Sequence, residues 1–381
     1  MSVENNIYLP VSLGEAIDKL TILHIKTEKI KNNDSNDAKK EYNMLYEILK
    51  TYVDKYRYYY QLLKNVNLKI WEAQDTFRYS SNEDEKTELC TKIIIDNDSR
   101  FRIKRKINNI CKSLIKEIKG YKLRKAFVFT HLGLGDNITS IGIVRYLSTL
   151  YDEVLVVCKR HNIRNLELIY SDDSTIKLYP TDNYNTIHPL TQKENFNKLT
   201  DGMDTYVCGC LVDKKIYNIP FSFYDDVKID PSVFWEYFYI PETSNSIKLY
   251  ELVKDTEYVF IHNTSSTGQV FSIEYVEKKL NIDRNKILFI NPCQNIYDKD
   301  HSYYELANNF MGYLLADYAK IIINSKYIFL TDSSFFSMAI NLEIKTDHCF
   351  VKARNNRTYN YLYAEKYIYK NNIKRKKFIS I

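Results

Sequence analysis

Residues 131–137 read HLGLGDN, between the apolar run KAFVFT (125–130) and ITSIGIVRYL (138–147). The chain has only 9 glycines in 381 residues. Two of them, Gly133 and Gly135, stand one residue apart directly before Asp136. A glycine pair between a strand and a helix permits a tight turn and a close backbone approach to another molecule. Asp136 then falls at the helix start, where the helix dipole stabilises a carboxylate by ~0.3–1 kcal/mol. That position suits either a capping group or a general base over a cleft. His131, at the strand end, is either structural or a helper of that base.

Two more strand ends carry polar side chains. In YIFLTDSSFFSMAINL (327–342), an apolar strand runs into Thr331, Asp332, Ser333 and Ser334, and a helix follows. Hydroxyls and free amides at a helix start can bind a diphosphate, or they can simply cap the helix. In FIHNTSSTG (260–268), another strand ends in His262, Asn263, Thr264, Ser265 and Ser266. In one parallel sheet these two ends share an edge and could hold one phosphate group.

Other anion-binding motifs fail. No Lys-Ser/Thr follows the glycines, so this is not a P-loop. Ile138 stands where a dinucleotide fingerprint needs its third glycine. The second strand ends in Cys158, Lys159 and Arg160, without the acidic residue that would hold a ribose. Two Asp-x-Asp pairs, Asp96/Asp98 and Asp298/Asp300, could chelate a divalent ion with a diphosphate. The first lies in a helical region and the second reads as a helix start.

The elements that must position these residues fall into three regions. Residues 12–119 read as helix. SLGE (12–15) is a capping box, with the Ser12 hydroxyl on the Glu15 amide and the Glu15 side chain reaching back. NNDSND (32–37) breaks the pattern. One long second helix carries Leu45, Ile48, Leu49, Tyr52, Leu62, Val66 and Ile70 on a stripe, with Trp71 beside it. A third shows Ile103, Ile107, Ile110, Leu114 and Ile118. The basic run Arg100, Arg102, Lys104, Arg105, Lys106 reads as a solvated helix face in preference to a nucleic-acid or membrane contact. From 123 onward strands and helices alternate, pause over 181–250, and alternate again, which implies parallel sheets. The expected fold is α/β with two facing Rossmann-like domains, at 123–250 and 251–381, preceded by a helical domain at 1–122. The basic tail NNIKRKKFISI (371–381) is expected to be peripheral.

Composition sets outer limits. A net charge of +6 is too small to imply nucleic-acid binding and suits anionic small ligands. No apolar stretch reaches the ~18–20 residues that span a bilayer. MSVENNIYLPVS lacks the basic start and apolar run of a signal peptide, so a cytoplasmic protein is expected. Seven cysteines show no metal-ligand spacing and read as reduced, mostly buried thiols. Cys208 and Cys210 would share the inner face of a strand. The 34 tyrosines and scarce glycine and proline suit an AT-rich genome.

HLGLGDNITSIGIVRYL resembles the first strand–turn–helix of heptosyltransferase-like enzymes, which are glycosyltransferases of the GT-B fold. YIFLTDSSFFSMAINL resembles their donor-diphosphate motif, and FIHNTSS falls where their C-terminal domain starts. The resemblance covers about 123–350. It implies transfer of a sugar from a nucleotide-sugar donor to a hydroxyl on a glycan acceptor, inverting and without a metal or other cofactor. Asp136 would be the base, helped by His131. Gly133, Gly135, His262, Thr264, Ser265, Ser266, Asp332, Ser333 and Ser334 would serve the donor. Ser334 replaces the family's usual small residue, and the basic residue expected after the first C-terminal strand is not evident. PVSLGEAIDKLTILHIKTEKI, WEAQDTFR and NDSRFRIKRKIN resemble a bacterial family of small helical domains found beside sugar-related proteins. Exposed aromatics permit a homodimer, and the helical region could dock a protein partner. A non-catalytic nucleotide-sugar-binding protein is the remaining alternative.

Overall fold

The computed structural model describes residues 9–31, 34–120, 122–130, 133–210, 221–266, 268–352, 376 and 378–380. The chain divides into two compact units. One comprises residues 1–124 with the short segments 147–153 and 172–175; the other comprises the rest.

Among the described residues the first unit holds four helices: α1 (Leu13–Lys29), α2 (Asp34–Lys55), α3 (Arg57–Tyr79) and α4 (Glu83–Ile110). The Ser12 hydroxyl caps the Glu15 amide at 3.2 Å. The Glu15 carboxylate does not reach back, because it pairs with Lys104 at 2.6 Å. The expected long second helix is two. Tyr56, at φ −112° and ψ 33°, breaks the ladder between α2 and α3. Of the expected stripe, Leu49, Leu62, Val66 and Ile70 are buried, while Ile48 is 70% exposed. The third expected helix stops early. Lys112 takes the left-handed conformation at φ 55°, and the Ser113 amide turns back to the Asn108 carbonyl at 2.8 Å. That left-handed ending closes α4, and Leu114 and Ile118 beyond it are exposed.

The basic run is neither a solvated face nor a contact surface. Arg100 grips the buried Asp18 carboxylate at 2.5 Å, and Arg102 pairs with Asp152. Lys104 bridges Glu15 and Glu117. Lys106, 3% exposed, pairs with Asp173, 2% exposed, at 2.6 Å. Only Arg105 of the five is exposed.

The second unit is mixed α/β with two sheets. The first sheet is built from β1 (Lys125–Phe129), β2 (Glu153–Lys159), β3 (Ile176–Thr181) and β4 (Asp204–Val207), ordered β3-β2-β1-β4. Between them run α5 (Leu134–Thr139), α6 (Ile141–Leu150), α7 (Ile163–Ile169) and α8 (Lys193–Leu199). An aromatic stretch follows with α9 (Phe221–Asp226), α10 (Val233–Glu236) and α11 (Ser244–Glu251). It packs hard on α6: a Cβ on Gly142 would lie 2.5 Å from the Val233 carbonyl. Arg145, buried on α6, donates to the carbonyls of Tyr239 and Ile169 and lies over the rings of Tyr170 and Tyr239.

The second sheet comprises β5 (Tyr258–His262), β6 (Leu288–Ile290), β7 (Tyr327–Thr331), β8 (Cys349–Lys352) and β9 (Ile379–Ser380), ordered β6-β5-β7-β8-β9. Its helices are α12 (Ile273–Leu280), α13 (Tyr304–Asn308), α14 (Ala319–Asn324) and α15 (Ser334–Ala339). β1 pairs with β4, β2 with β3, β5 with β6 and β7, β7 with β8, and β8 with β9, all parallel. Of the expected peripheral tail, the described residues 378–380 join the edge of this sheet. Ile379 pairs with Phe350, and the buried Phe378 ring packs on Phe336 at 5.3 Å.

Cys208 and Cys210 do not lie on a strand. β4 ends at Val207, and Gly209 turns the chain at φ 72°. Of the seven thiols only Cys158, Cys208 and Cys349 are buried, fewer than expected. Among the described residues, no helix is long and apolar enough to cross a membrane.

Candidate functional site

In open α/β sheets the ligand crevice lies beyond the carboxyl ends of the strands, where strand order reverses. In the first sheet the chain runs from β1 to β2 and β3, then returns to β4 on the other side of β1. The glycine turn begins at that reversal. In the second sheet β5 leads to β6 and the chain returns to β7. The two hydroxyl-rich ends leave from those two strands.

The turn after β1 is built around the Asp136 carboxylate. Gly133 is the N-cap of α5, and Asp136 is the third helical residue, not the cap. Asp136 Oδ2 accepts the Gly133 N–H at 3.0 Å. A Cβ on Gly133 would lie 2.8 Å from that oxygen, so a larger residue there would displace the carboxylate. Behind it, buried Asn137 donates to the Thr130 hydroxyl at 2.6 Å and ties the helix start to the strand end. His131 lies outside the described residues.

On the second sheet His262, Thr331 and Ser333 come together. Thr331 Oγ1 donates to the Thr264 carbonyl at 2.8 Å and lies 3.4 Å from His262 Nδ1. Ser333 Oγ is 3.1 Å from the same nitrogen. Ser333 is the N-cap of α15, yet its side chain makes no capping bond; it turns to the histidine instead. Asp332 is buried, with its amide on the Lys352 carbonyl at 3.1 Å. The next loop behaves differently. Ser265 Oγ donates to Gln269 Oε1 at 2.6 Å, and the Gln269 amide donates back to it. Those bonds close the 265–269 turn, and Ser266 is exposed in it. The Thr264 side chain is half-buried.

His262 is 8% exposed and its ring packs on Phe335 at 4.5 Å. Burial lowers its pKa from 6.5 to about 4. It is therefore neutral near pH 7 and brings no positive charge to the edge. The unfolded chain takes up a proton below about pH 6.5, and the folded protein does so only near 4. Stability is then complete above about 6.5 and falls as pH drops toward 4, by roughly 3 kcal/mol in all. His262→Gln should flatten that slope relative to the wild type. Urea unfolding at several pH values across the window checks it.

The two turns meet. A Cβ on Gly135 would lie 3.5 Å from Ser337 Oγ and 3.8 Å from both Ser334 N and Cα. The turn that carries Asp136 therefore rests on the first turn of α15, within one compact unit. Asn165 of α7 makes a second link, accepting the Leu315 amide at 2.8 Å.

Solved structures of glycosyltransferases align with part of the chain at low similarity. A glycosyl transferase family 9 protein from Veillonella parvula aligns with 63% of this chain and 84% of its own, at 9% identity and a TM-score of 0.39. The dodecameric iron-containing heptosyltransferase TibC, in complex with ADP-D-beta-D-heptose, aligns over 63% and 61%, at 14% identity and a TM-score of 0.36. A second TibC structure, from enterotoxigenic E. coli, gives a TM-score of 0.35 at the same identity and coverage. No protein-family model matches the chain, and no curated protein does.

Two residues of the second edge were not singled out from sequence. Asn291 donates to Asn263 Oδ1 at 3.0 Å, and Gln294 approaches the same oxygen at 3.4 Å. Their signal was the polar break Asn-Pro-Cys-Gln directly after β6. The Asp-x-Asp pairs lie elsewhere: Asp96 and Asp98 are inside α4, where Asp98 pairs with Lys119. Asp298 and Asp300 lie in the turn before α13, where the Asp298 carbonyl accepts the His301 amide.

Proposed function

We propose that the chain transfers a sugar from a nucleotide-sugar donor to a hydroxyl on a glycan acceptor, inverting and without a metal. The observation that carries this reading is the contact of the Asp136 turn with the Ser333–Ser334 turn. It brings a fixed carboxylate and a cluster of hydroxyls to the switch points of two sheets. Residues 123–250 would take the acceptor and 251–381 the donor, with the helical region 1–122 apart from the chemistry.

In this reading Asp136 accepts the acceptor's proton, with His131 as its helper. The oxygen attacks the anomeric carbon from the face opposite the leaving nucleoside diphosphate. The Gly133 amide holds one carboxylate oxygen and so fixes the base. Hydroxyls and amides of Ser333 and Ser334, with Thr264, Ser265 and Ser266 beside them, would meet the charge that develops on the diphosphate. Neutral His262 orients the Ser333 hydroxyl and does not itself offset charge. Gly133 and Gly135 let the turn close on Asp136 and on α15 beside the donor, and Asp332 braces the turn.

The test is turnover of UDP-, GDP- and ADP-sugars with hydroxyl acceptors in EDTA. Transfer should proceed at full rate in the chelator. Loss of all activity in EDTA would return the reaction to a metal-dependent mechanism. Thermal stabilisation by nucleoside diphosphates without any turnover would leave a binding protein instead.

A further inference from the structure

The apolar side chains of α2 fall on two faces. Ala38, Leu49 and Val53 are buried. Met44, Ile48 and Tyr52 point outward and are 54%, 70% and 45% exposed. A single exposed apolar residue is ordinary, but these three stand at i, i+4 and i+8. Residues four apart lie one above the other on a helix, so they form one continuous stripe. Every other described helix exposes at most two large apolar residues. The two on α4, Ile94 and Ile95, are neighbours in sequence and diverge by about 100°.

The ends of the stripe carry opposite charges. Glu41 stands seven residues before Ile48 and Lys55 seven after it, and both are exposed. Seven residues fall only about 20° short of two helical turns, so both charges lie on the line of the stripe. The order is therefore Glu41, Met44, Ile48, Tyr52, Lys55. It spans about 21 Å at 1.5 Å per residue, within the 22 residues of α2.

Such a surface is complementary to itself when reversed. Two copies of α2 set antiparallel about a two-fold axis at Ile48 place Ile48 on Ile48. They also place Met44 of each copy beside Tyr52 of the other, and Glu41 of each opposite Lys55 of the other. A parallel arrangement would set Glu41 on Glu41 and Lys55 on Lys55, which is repulsive. The present contacts of the two charges leave them able to pair in this way. Glu41 holds Lys19 at 2.7 Å, with Glu41 48% and Lys19 61% exposed, a pair that water screens. A carboxylate has room for a second ammonium. The Lys55 ammonium lies over the Tyr56 ring at 5.4 Å.

We propose that the outer stripe of α2 is a two-fold interface with a second copy of this chain, the two helices packing antiparallel about Ile48. The proposal rests on the helical unit alone and is independent of the sugar-transfer reading. Three apolar side chains from each copy make a small contact, which suits reversible association.

The experiment is sedimentation velocity of the full chain over a concentration series, with the melting temperature recorded for each variant. Wild type should show a monomer–dimer equilibrium. Ile48→Glu puts two like charges on the axis and should raise the dimer dissociation constant by about ten-fold or more. Because Ile48 is exposed, that variant should melt as wild type does. Ile94→Glu, at a comparably exposed apolar position of α4, should dimerise like wild type. Glu41→Lys and Lys55→Glu should each weaken the dimer. The two together should restore it, because reversing both charges recreates the pairs. A wild type that stays monomeric throughout overturns the proposal, whatever other protein the stripe then binds. So does a dimer that survives Ile48→Glu, or one that the double charge reversal fails to restore.

Discussion

Asp136→Asn should lower the rate of transfer by about 10²–10⁴-fold, the usual contribution of a positioned general base, while leaving the melting temperature close to wild type. The two halves of that expectation come from different atoms. Asn retains an oxygen that can accept the Gly133 N–H, now held at 3.0 Å by Asp136 Oδ2, so the start of α5 keeps its internal bond. What it loses is basicity. A capping role would be served by either side chain, because a neutral amide oxygen also accepts a bond there. Asp136→Ala removes both functions and cannot separate them. Gly133→Ala attacks the same site from the other side: its methyl group would sit 2.8 Å from the carboxylate and displace it. Measured kcat and melting temperature for the asparagine variant decide the matter. A kcat unchanged in Asp136→Asn would mean that the carboxylate caps a helix and does no chemistry.

Much of the second unit was legible because buried parallel strands are marked by contiguous apolar runs. KAFVF, YVFIH and YIFLT each became a strand, the last two ending at His262 and Thr331. The glycine turn was legible for a similar reason, since scarce glycines placed together mark a backbone requirement. The capping details were not. Sequence gives the order of Gly133 and Asp136 but not which residue takes the cap, and Ser333 left its helix to bond a histidine 71 positions away. Asn291 and Gln294 join the edge only through the pairing of β5 with β6. In the helical unit a single-residue break at Tyr56 divided the expected helix in two, and no glycine or proline announced it.

Lys106→Met should destabilise the helical unit by about 3–5 kcal/mol, the cost of leaving a buried charge without its partner. The pair is 2.6 Å apart and both side chains are almost fully enclosed. Ser148 and Thr175 also donate to Asp173, at 2.9 Å and 2.6 Å, so the stranded carboxylate keeps some support and the loss should fall toward the lower end. Replacing both members, as Lys106→Met with Asp173→Leu, removes the charge along with its partner and should recover much of the loss. Arg160 and Asp182 provide the contrast, being 61% and 70% exposed at 2.8 Å. Breaking that pair should cost about 1 kcal/mol or less, because water and salt screen it. Denaturant unfolding of the single and double variants gives the comparison. A solvated helix face would make Lys106 behave like Arg160. The buried geometry makes the basic run of α4 an internal set of ion pairs, so charge density along the sequence there reports what the helix packs against.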